Sequence, residues 1–412
     1  MEADFFIIKL QYIVLSETKN KGEIKMKIES LLVHGAVDGD EFTGSVNVPI
    51  YQTSTYKQAG LGDFKYEYSR TGNPTREALE KTIASLENGI GGLAFGSGMA
   101  AITAVLSLFK SGDKIIIPDN LYGGTFRVVD KVFSNFNILY EIVDISNIEN
   151  VRKVLEDNKN KGGIKAIFIE TPTNPLMDIT DIEEVSSLAK EYNALTIVDN
   201  TFMSPYFQKP LDFGADIVLH SATKYLGGHS NVVAGLVVVK EDEELLKRLY
   251  FIQNSTGGVL GPFDSYILLQ GIKTLGVRLD RHNENAAKIA DYLLNSKYVD
   301  KIYYPGLKES KGYKIHNKQA TGFGGMISFV VNEKIDFKEF VKALKLITLA
   351  ESLGGVESLI CHPATMTHAA IPYEIRQKVG IVDNLLRLSV GIENVDDLIE
   401  DLENAFKKSI KE

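Results

Sequence analysis

Cysteine is almost missing from this 412-residue chain, which carries only Cys361. One thiol excludes an intramolecular disulfide framework and any zinc site built on two or four cysteines, and it suits a reducing cytosol. Cys361 itself reads as a packed thiol. Histidines number seven and are scattered. His362 and His368 stand six apart around Pro363, not a helical ligand pair, and His34, His282 and His316 lie far from them in sequence, so no metal is expected. Positive charge is not in excess: 45 Lys and Arg against 54 Asp and Glu give a net charge of −9. That balance argues against nucleic acid and against anionic surfaces as partners. Long apolar runs are missing too. The single candidate, within residues 1–25, is interrupted by Lys9 and Gln11, begins acidic and lacks a small-residue cleavage site. It is a poor signal peptide and too short to span a bilayer, which leaves a cytoplasmic protein with no membrane partner. Met26 offers a second start, so residues 1–25 read as a disordered or non-native extension.

What is present is enough chain for more than one domain and for a dry interior site. From about residue 78, short apolar runs alternate with helical periods: GGLAF (91–95), KIIIP (114–118), ILYEIV (138–143), KAIFIE (165–170), LTIVDN (195–200), DIVLH (216–220) and AGLVVVK (234–240). Near-continuous apolar strands between amphipathic helices predict a large, mostly parallel α/β domain over residues 78–265. Residues 26–77, rich in Gly, Thr and Tyr, read as an extended arm. After residue 265 one long helical stretch (265–294) leads into mixed strands, GGMISFVV (324–331) and LLRLSVGIE (385–393), and amphipathic helices. This predicts a smaller α+β domain over residues 266–412.

Four motifs end strands of the large domain. Gly96-Ser97-Gly98-Met99-Ala100-Ala101 follows a strand and opens a helix, a natural anion site. It also fits the dinucleotide pattern, with Asp119 as the ribose acid, so a dinucleotide, another phosphate and a plain helix start all stay open. Lys224 lies in His220-Ser221-Ala222-Thr223-Lys224 beside two hydroxyls. It reads either as a Schiff-base lysine kept partly neutral by desolvation or as an exposed loop cation. Asp199 ends LTIVD, where a carboxylate can hold a pyridine nitrogen protonated or merely cap the next segment. In Glu170-Thr171-Pro172-Thr173-Asn174-Pro175, Asn174 can bond a ring hydroxyl, or the segment can be a simple turn.

Eight motifs stand in one order: YEYSRTGNPTR, GSGMAA, LYGGTFR, ETPTNP, VDNTF, HSATKYLGGH, AESLGGVESL and LRLSVGIE. With them the chain, over roughly residues 28–410, resembles the Cys/Met-metabolism pyridoxal-phosphate enzymes, and the dinucleotide reading gives way. The resemblance implies the aspartate-aminotransferase-like fold type I, with a seven-stranded α/β domain and pyridoxal 5'-phosphate as cofactor. It implies that Lys224 anchors the cofactor and then moves protons. The Gly98 and Met99 amides and the Ser221 and Thr223 hydroxyls would hold the phosphate. Tyr122 would stack on the ring and serve catalysis, Asn174 and Asp199 would bond the ring, and Arg387 would clamp the substrate carboxylate beside Ser352. Tyr68 and Arg70 would reach the phosphate of a neighbouring subunit, in dimers that pair into a homotetramer.

The substrate implied is a small sulfur amino acid. Arg127 and Glu351 match the family members that act on the long substrate cystathionine, whereas methionine γ-lyases usually carry cysteine where Gly124 stands. The leading expectation is therefore α,γ-elimination of L-cystathionine to cysteine, 2-oxobutanoate and ammonia. Cystathionine γ-synthase, cystathionine β-lyase and methionine or homocysteine γ-lyase are the other activities the resemblance allows.

Overall fold

The computed structural model describes residues 26–35, 39–40, 42–367 and 373–411. The expected extension 1–25 and His368 lie outside them. Side-chain caps set several of the helix starts, because each cap supplies an acceptor to amides that have no partner within the helix. Asn73 accepts from the amides of Thr75 and Arg76 to open α2 (Pro74–Glu87), after a short α1 (Ile28–His34). Ser97 opens α3 (Gly98–Leu106), Asn147 opens α5 (Ile148–Asn158) and Asp181 opens α6 (Ile182–Glu191), with α4 (Gly123–Lys131) between the first two.

These helices cover a seven-stranded sheet of β1 (Gly91–Phe95), β2 (Lys114–Pro118), β3 (Leu139–Val143), β4 (Ile164–Glu170), β5 (Leu195–Asp199), β6 (Ile217–Ser221) and β7 (Gly235–Val239). The order is β1-β7-β6-β5-β4-β2-β3, and only β7 runs antiparallel to its neighbours. Successive residues feed two separate cores: Val198, Val218 and Val238 on one face, Ile197, Ile217 and Val237 on the other. Burial on both faces is why these strands read as unbroken apolar runs. After α7 (Glu243–Thr256), α8 (Pro262–Lys273) and α9 (Leu275–Leu294), a second sheet forms. It comprises β8 (Val299–Tyr303), β9 (Met326–Val331), β10 (Thr348–Leu349), β11 (Leu359–Cys361) and β12 (Leu385–Ser389), ordered β10-β11-β12-β9-β8. Phe329 of this sheet, Phe340 of α10 (Phe337–Ala343) and Phe406 of α11 (Val395–Lys408) centre its core.

The structure departs from the sequence reading in four places. The single helical stretch 265–294 is two helices broken at Thr274, because the Gly271 carbonyl is taken by the Thr274 amide and by Nη2 of Arg278. The boundary drawn at residue 265 falls inside α8, which packs on α2 of the large domain. The strand expected over 385–393 stops at Ser389, since the Gly391 amide turns to the Ser358 hydroxyl at 2.8 Å. The arm is not wholly extended: it holds α1, and α2 begins at Pro74 inside its expected span. Cys361 is buried with a free thiol, as expected. Among the described residues no His, Cys, Asp and Glu cluster fits a metal, and no helix is long and apolar enough to cross a membrane.

Candidate active site

The loops after β1, β2, β4, β5 and β6 all leave the carboxyl edge of the large sheet, where α/β proteins place ligands. They meet the loop at Ser352 and the strand β12 around a cavity of about 260 Å³.

Its floor is the start of α3. The Ser97 hydroxyl accepts from the Ala100 amide at 3.0 Å, leaving the first amides of the helix, at Gly98 and Met99, directed outward. Gly98 has no room for a side chain, since an added Cβ would stand 2.9 Å from Cβ of Ser221. Gly235, paired with both Phe95 and Ser221, is tighter still, its Cβ falling 2.1 Å from the Ser97 carbonyl oxygen. Two missing side chains thus bring a helix N-terminus against the Ser221 hydroxyl, which makes an anion cradle. Thr223 lines the same wall, and its Oγ1 accepts from the Ala234 amide at 3.0 Å.

Lys224 projects into the cavity, and its Nζ donates to the Ser352 hydroxyl at 2.9 Å. Burial first, then the Arg387 charge, lower its pKa to about 8, against the opposing pull of Glu351. An amine so placed is far more often neutral than a surface lysine, as a nucleophile must be. Ser352 adopts a positive φ of 102°, which costs a non-glycine residue about 1–3 kcal/mol. In that conformation its hydroxyl meets Lys224 while its carbonyl accepts from Nη2 of Arg387 at 2.9 Å.

Arg387 sits in the middle of β12 and is only 2% exposed. Its Nη1 donates to Oδ1 of Asn174 at 2.8 Å, while its buried Nε has no hydrogen-bond partner among the described residues. An unsatisfied guanidinium donor beside a cavity calls for a carboxylate.

Asp199 and Glu170 are partners in the β4–β5 register and both line the cavity. Burial raises the pKa of each. In Glu170 the Asp199 charge adds to that rise, while in Asp199 the bonds from Thr201 and the His220 charge oppose it. Two carboxyl groups side by side favour a cation or a protonated nitrogen between them and the ligand. The sequence reading gives Glu170 no role, although its signal matches that of Asp199, a carboxylate at the carboxyl end of a buried strand. Here it accepts from the Tyr122 amide at 3.0 Å and the Asn174 amide at 2.9 Å, so it orients two other expected site residues.

Tyr122 covers the opening, 38% exposed, with its ring lying over Gly124. Burial raises the pKa of its phenol; the Arg127 charge opposes that rise and the Glu351 charge adds to it. Glu351 lines the cavity, whereas Arg127 sits on the exposed side of α4 and acts on Tyr122 electrostatically without forming part of the wall. Tyr68 and Arg70 lie elsewhere. They line a second cavity with Gln52 and Pro262, and Nη1 of Arg70 donates to the Asn254 carbonyl at 2.8 Å.

The wall suits the expected cofactor: an anion cradle, a depressed amine one residue beyond it, and a carboxylate pair suited to a protonated ring nitrogen. The comparisons agree. The chain is 56% identical to a cystathionine beta-lyase of Lactococcus lactis subsp. cremoris, covering 92% of this chain and 99% of that protein. It is 55% identical to a cystathionine gamma-lyase of Bacillus subtilis, covering 93% and 100%. The crystal structure of cystathionine gamma-lyase from Lactobacillus plantarum, complexed with L-serine, superposes with a TM-score of 0.90 at 50% identity, over 93% of this chain and 99% of that one. A cystathionine gamma synthase from Xanthomonas oryzae pv. oryzae gives a TM-score of 0.90 at 42% identity, over 93% of this chain and 99% of that one. The profile of the Cys/Met metabolism PLP-dependent enzymes matches residues 29–407, and the chain belongs to that family, a pyridoxal-phosphate enzyme of fold type I.

Proposed function

We propose that the protein cleaves L-cystathionine by α,γ-elimination, consuming water and releasing cysteine, 2-oxobutanoate and ammonia. The observation that carries this reading is the pair of opposite charges around Tyr122, Glu351 in the cavity wall and Arg127 beyond it. Cystathionine ends in an ammonium and a carboxylate, which such a pair matches, whereas methionine ends in a methyl group. Gly124 supports the same choice, because a side chain there would start 2.4 Å from the Tyr122 ring and would have to displace it.

Pyridoxal phosphate, when bound, delocalises the electron pair left when a bond at the substrate α-carbon breaks. The Gly98 and Met99 amides with the Ser221 and Thr223 hydroxyls would hold its phosphate, Asp199 would pair with its ring nitrogen, and Asn174 would bond its ring hydroxyl. Arg387 holds the substrate carboxylate, fixing the α-carbon near Lys224. Lys224 takes the α-proton with its neutral amine, gives that proton up again, and only then takes a β-proton, while the Ser352 hydroxyl keeps Nζ aimed at the two carbons. The Tyr122 hydroxyl delivers a proton to the departing sulfur.

Product analysis tests the reading. Cystathionine should give 2-oxobutanoate and cysteine in equal amounts. Pyruvate with homocysteine would identify β-elimination instead, the activity named for the Lactococcus lactis relative. Cystathionine formed from an acyl-homoserine and cysteine would identify a synthase.

The same reading gives Tyr68 and Arg70 to a neighbouring subunit's phosphate, which accounts for their distance from Lys224 in their own chain. Mixing Arg70→Ala with Lys224→Ala should therefore restore part of the activity, since hybrid dimers contain one composite site intact at both positions. With subunit exchange demonstrated, no regain would mean that Arg70 does not act across the interface.

A further inference from the structure

Behind the turn that carries Lys224, a buried guanidinium has no part in the steps above. Arg278, in the first turn of α9, is 3% exposed. Its three nitrogens fan out to three oxygens. Nε donates to the Thr274 hydroxyl at 3.1 Å, Nη1 to the Tyr225 carbonyl at 2.8 Å and Nη2 to the Gly271 carbonyl at 2.8 Å. Burial lowers its pKa to about 10, and among the described residues no carboxylate opposes that fall. A cation in the interior without a counter-charge is costly, and an apolar side chain of similar volume commonly serves stability as well or better. What an apolar side chain cannot do is tie together carbonyls of separate segments from one rigid, planar group.

One of those segments carries Lys224. The chain turns directly after it: the Gly228 amide donates to the Lys224 carbonyl at 2.8 Å, and the Gly227 amide to the Ala222 carbonyl at 2.8 Å. Gly228 adopts a φ of 70° and lies against the guanidinium, where an added Cβ would stand 2.1 Å from Nη1. Gly271 closes on the same turn, its added Cβ falling 2.4 Å from the Gly227 carbonyl oxygen. The Gly228 carbonyl accepts from the Val356 amide at 3.0 Å, in the loop whose Ser352 hydroxyl meets Nζ. Arg278 therefore fixes a turn that is joined at one end to Lys224 and at the other to the loop of its hydroxyl partner.

We infer that Arg278 is a positioning residue for the reaction: by clamping the turn after Lys224 onto the start of α9, it holds Nζ in the cavity against Ser352. The inference rests on the reading of Lys224 as the cofactor anchor, and the experiment separates the two. In cofactor-free enzyme, acetic anhydride labels neutral amines, and peptide mass spectrometry reads Lys224 alone. Wild-type labelling should rise with pH through about 8. Arg278→Lys keeps the charge but cannot bridge the carbonyls. Its midpoint should move up by about one pH unit, towards the 10.5 of a solvated lysine, because Nζ leaves its buried place. The charged groups facing Nζ, Arg387 on β12 and Glu351 beside Ser352, are the same in both proteins, so the shift reports position. Capture of added pyridoxal phosphate should slow about tenfold or more. A loss of thermal stability alone, with wild-type midpoint and capture rate, overturns the role. If Arg278→Lys does not fold, Thr274→Val decides. It removes the acceptor of Nε at an exposed position, so it should fold, and it should slow capture about threefold. A wild-type rate and midpoint there overturn the inference. Failure of the anchor reading looks different: borohydride would trap labelled cofactor on Lys224→Ala, while the acetylation midpoints would still report on Arg278.

Discussion

Replacing Lys224 by alanine should abolish turnover and leave the fold intact. Two functions leave with one side chain, the covalent anchor of the cofactor and the base that moves protons at the α- and β-carbons. The general-base role alone is worth about 10²–10⁴-fold in rate, and the lost anchor adds to that. The fold should survive because Nζ contributes one hydrogen bond, to Ser352, at the expense of desolvating a cation beside Arg387. Borohydride should trap labelled cofactor on the wild type and none on Lys224→Ala, with circular dichroism unchanged between them. Wild-type turnover by Lys224→Ala would overturn the assignment. The electrostatics predict a pH signature as well. Burial lowers the pKa from an ordinary 10.5 to about 8, so the neutral amine accumulates as pH rises through that lower value. In cofactor-free enzyme the rate of capture of added pyridoxal phosphate should climb up to pH about 8 and level there. A rise continuing towards 10.5 would mean that Lys224 is solvated.

The places of Asp199, Ser221 and Lys224 in the fold are legible in the sequence. Asp199, Ser221 and Lys224 each follow a short apolar run, and parallel strands bring their carboxyl ends to one edge. Most of the seven strands were legible for a related reason, because burial on both faces leaves little but apolar residues in them; the edge strand β3 is the exception, with Leu139 and Ile142 exposed. What pattern could not supply were effects set across the chain. The break at Thr274 depends on Arg278 competing for the Gly271 carbonyl. Glu170 reads as the first letter of a turn motif until the fold brings Tyr122, 48 residues earlier, onto its carboxylate. Arg278 and Tyr225 lie 53 positions apart, and nothing local distinguishes a buried arginine opening a helix from a solvated one. Arg127 shows the converse: the motif placed it at the substrate, while the helix turns it to the exposed side and leaves only its field.

That difference between Arg127 and Glu351 sharpens the prediction on substrate choice. Glu351 lines the cavity and acts on Lys224 and Tyr122, so Glu351→Ala removes a charge from the wall itself. If Glu351 meets the distal ammonium of cystathionine, its loss should cost one charge-assisted hydrogen bond, about 1.5–3 kcal/mol or roughly 10- to 150-fold in kcat/KM. Arg127 stands outside the wall, so Arg127→Ala should fall towards the lower end of that range and should depend more strongly on ionic strength, because solvent screens an exposed charge more than a buried one. Homocysteine lacks the distal amino acid, and its kcat/KM should change much less in either variant. The measurement is kcat/KM for cystathionine and for homocysteine in wild type and both variants, at low and high salt. Equal losses on the two substrates would place these charges in support of the shared chemistry around Tyr122, and the preference for cystathionine would lose the observation that carries it.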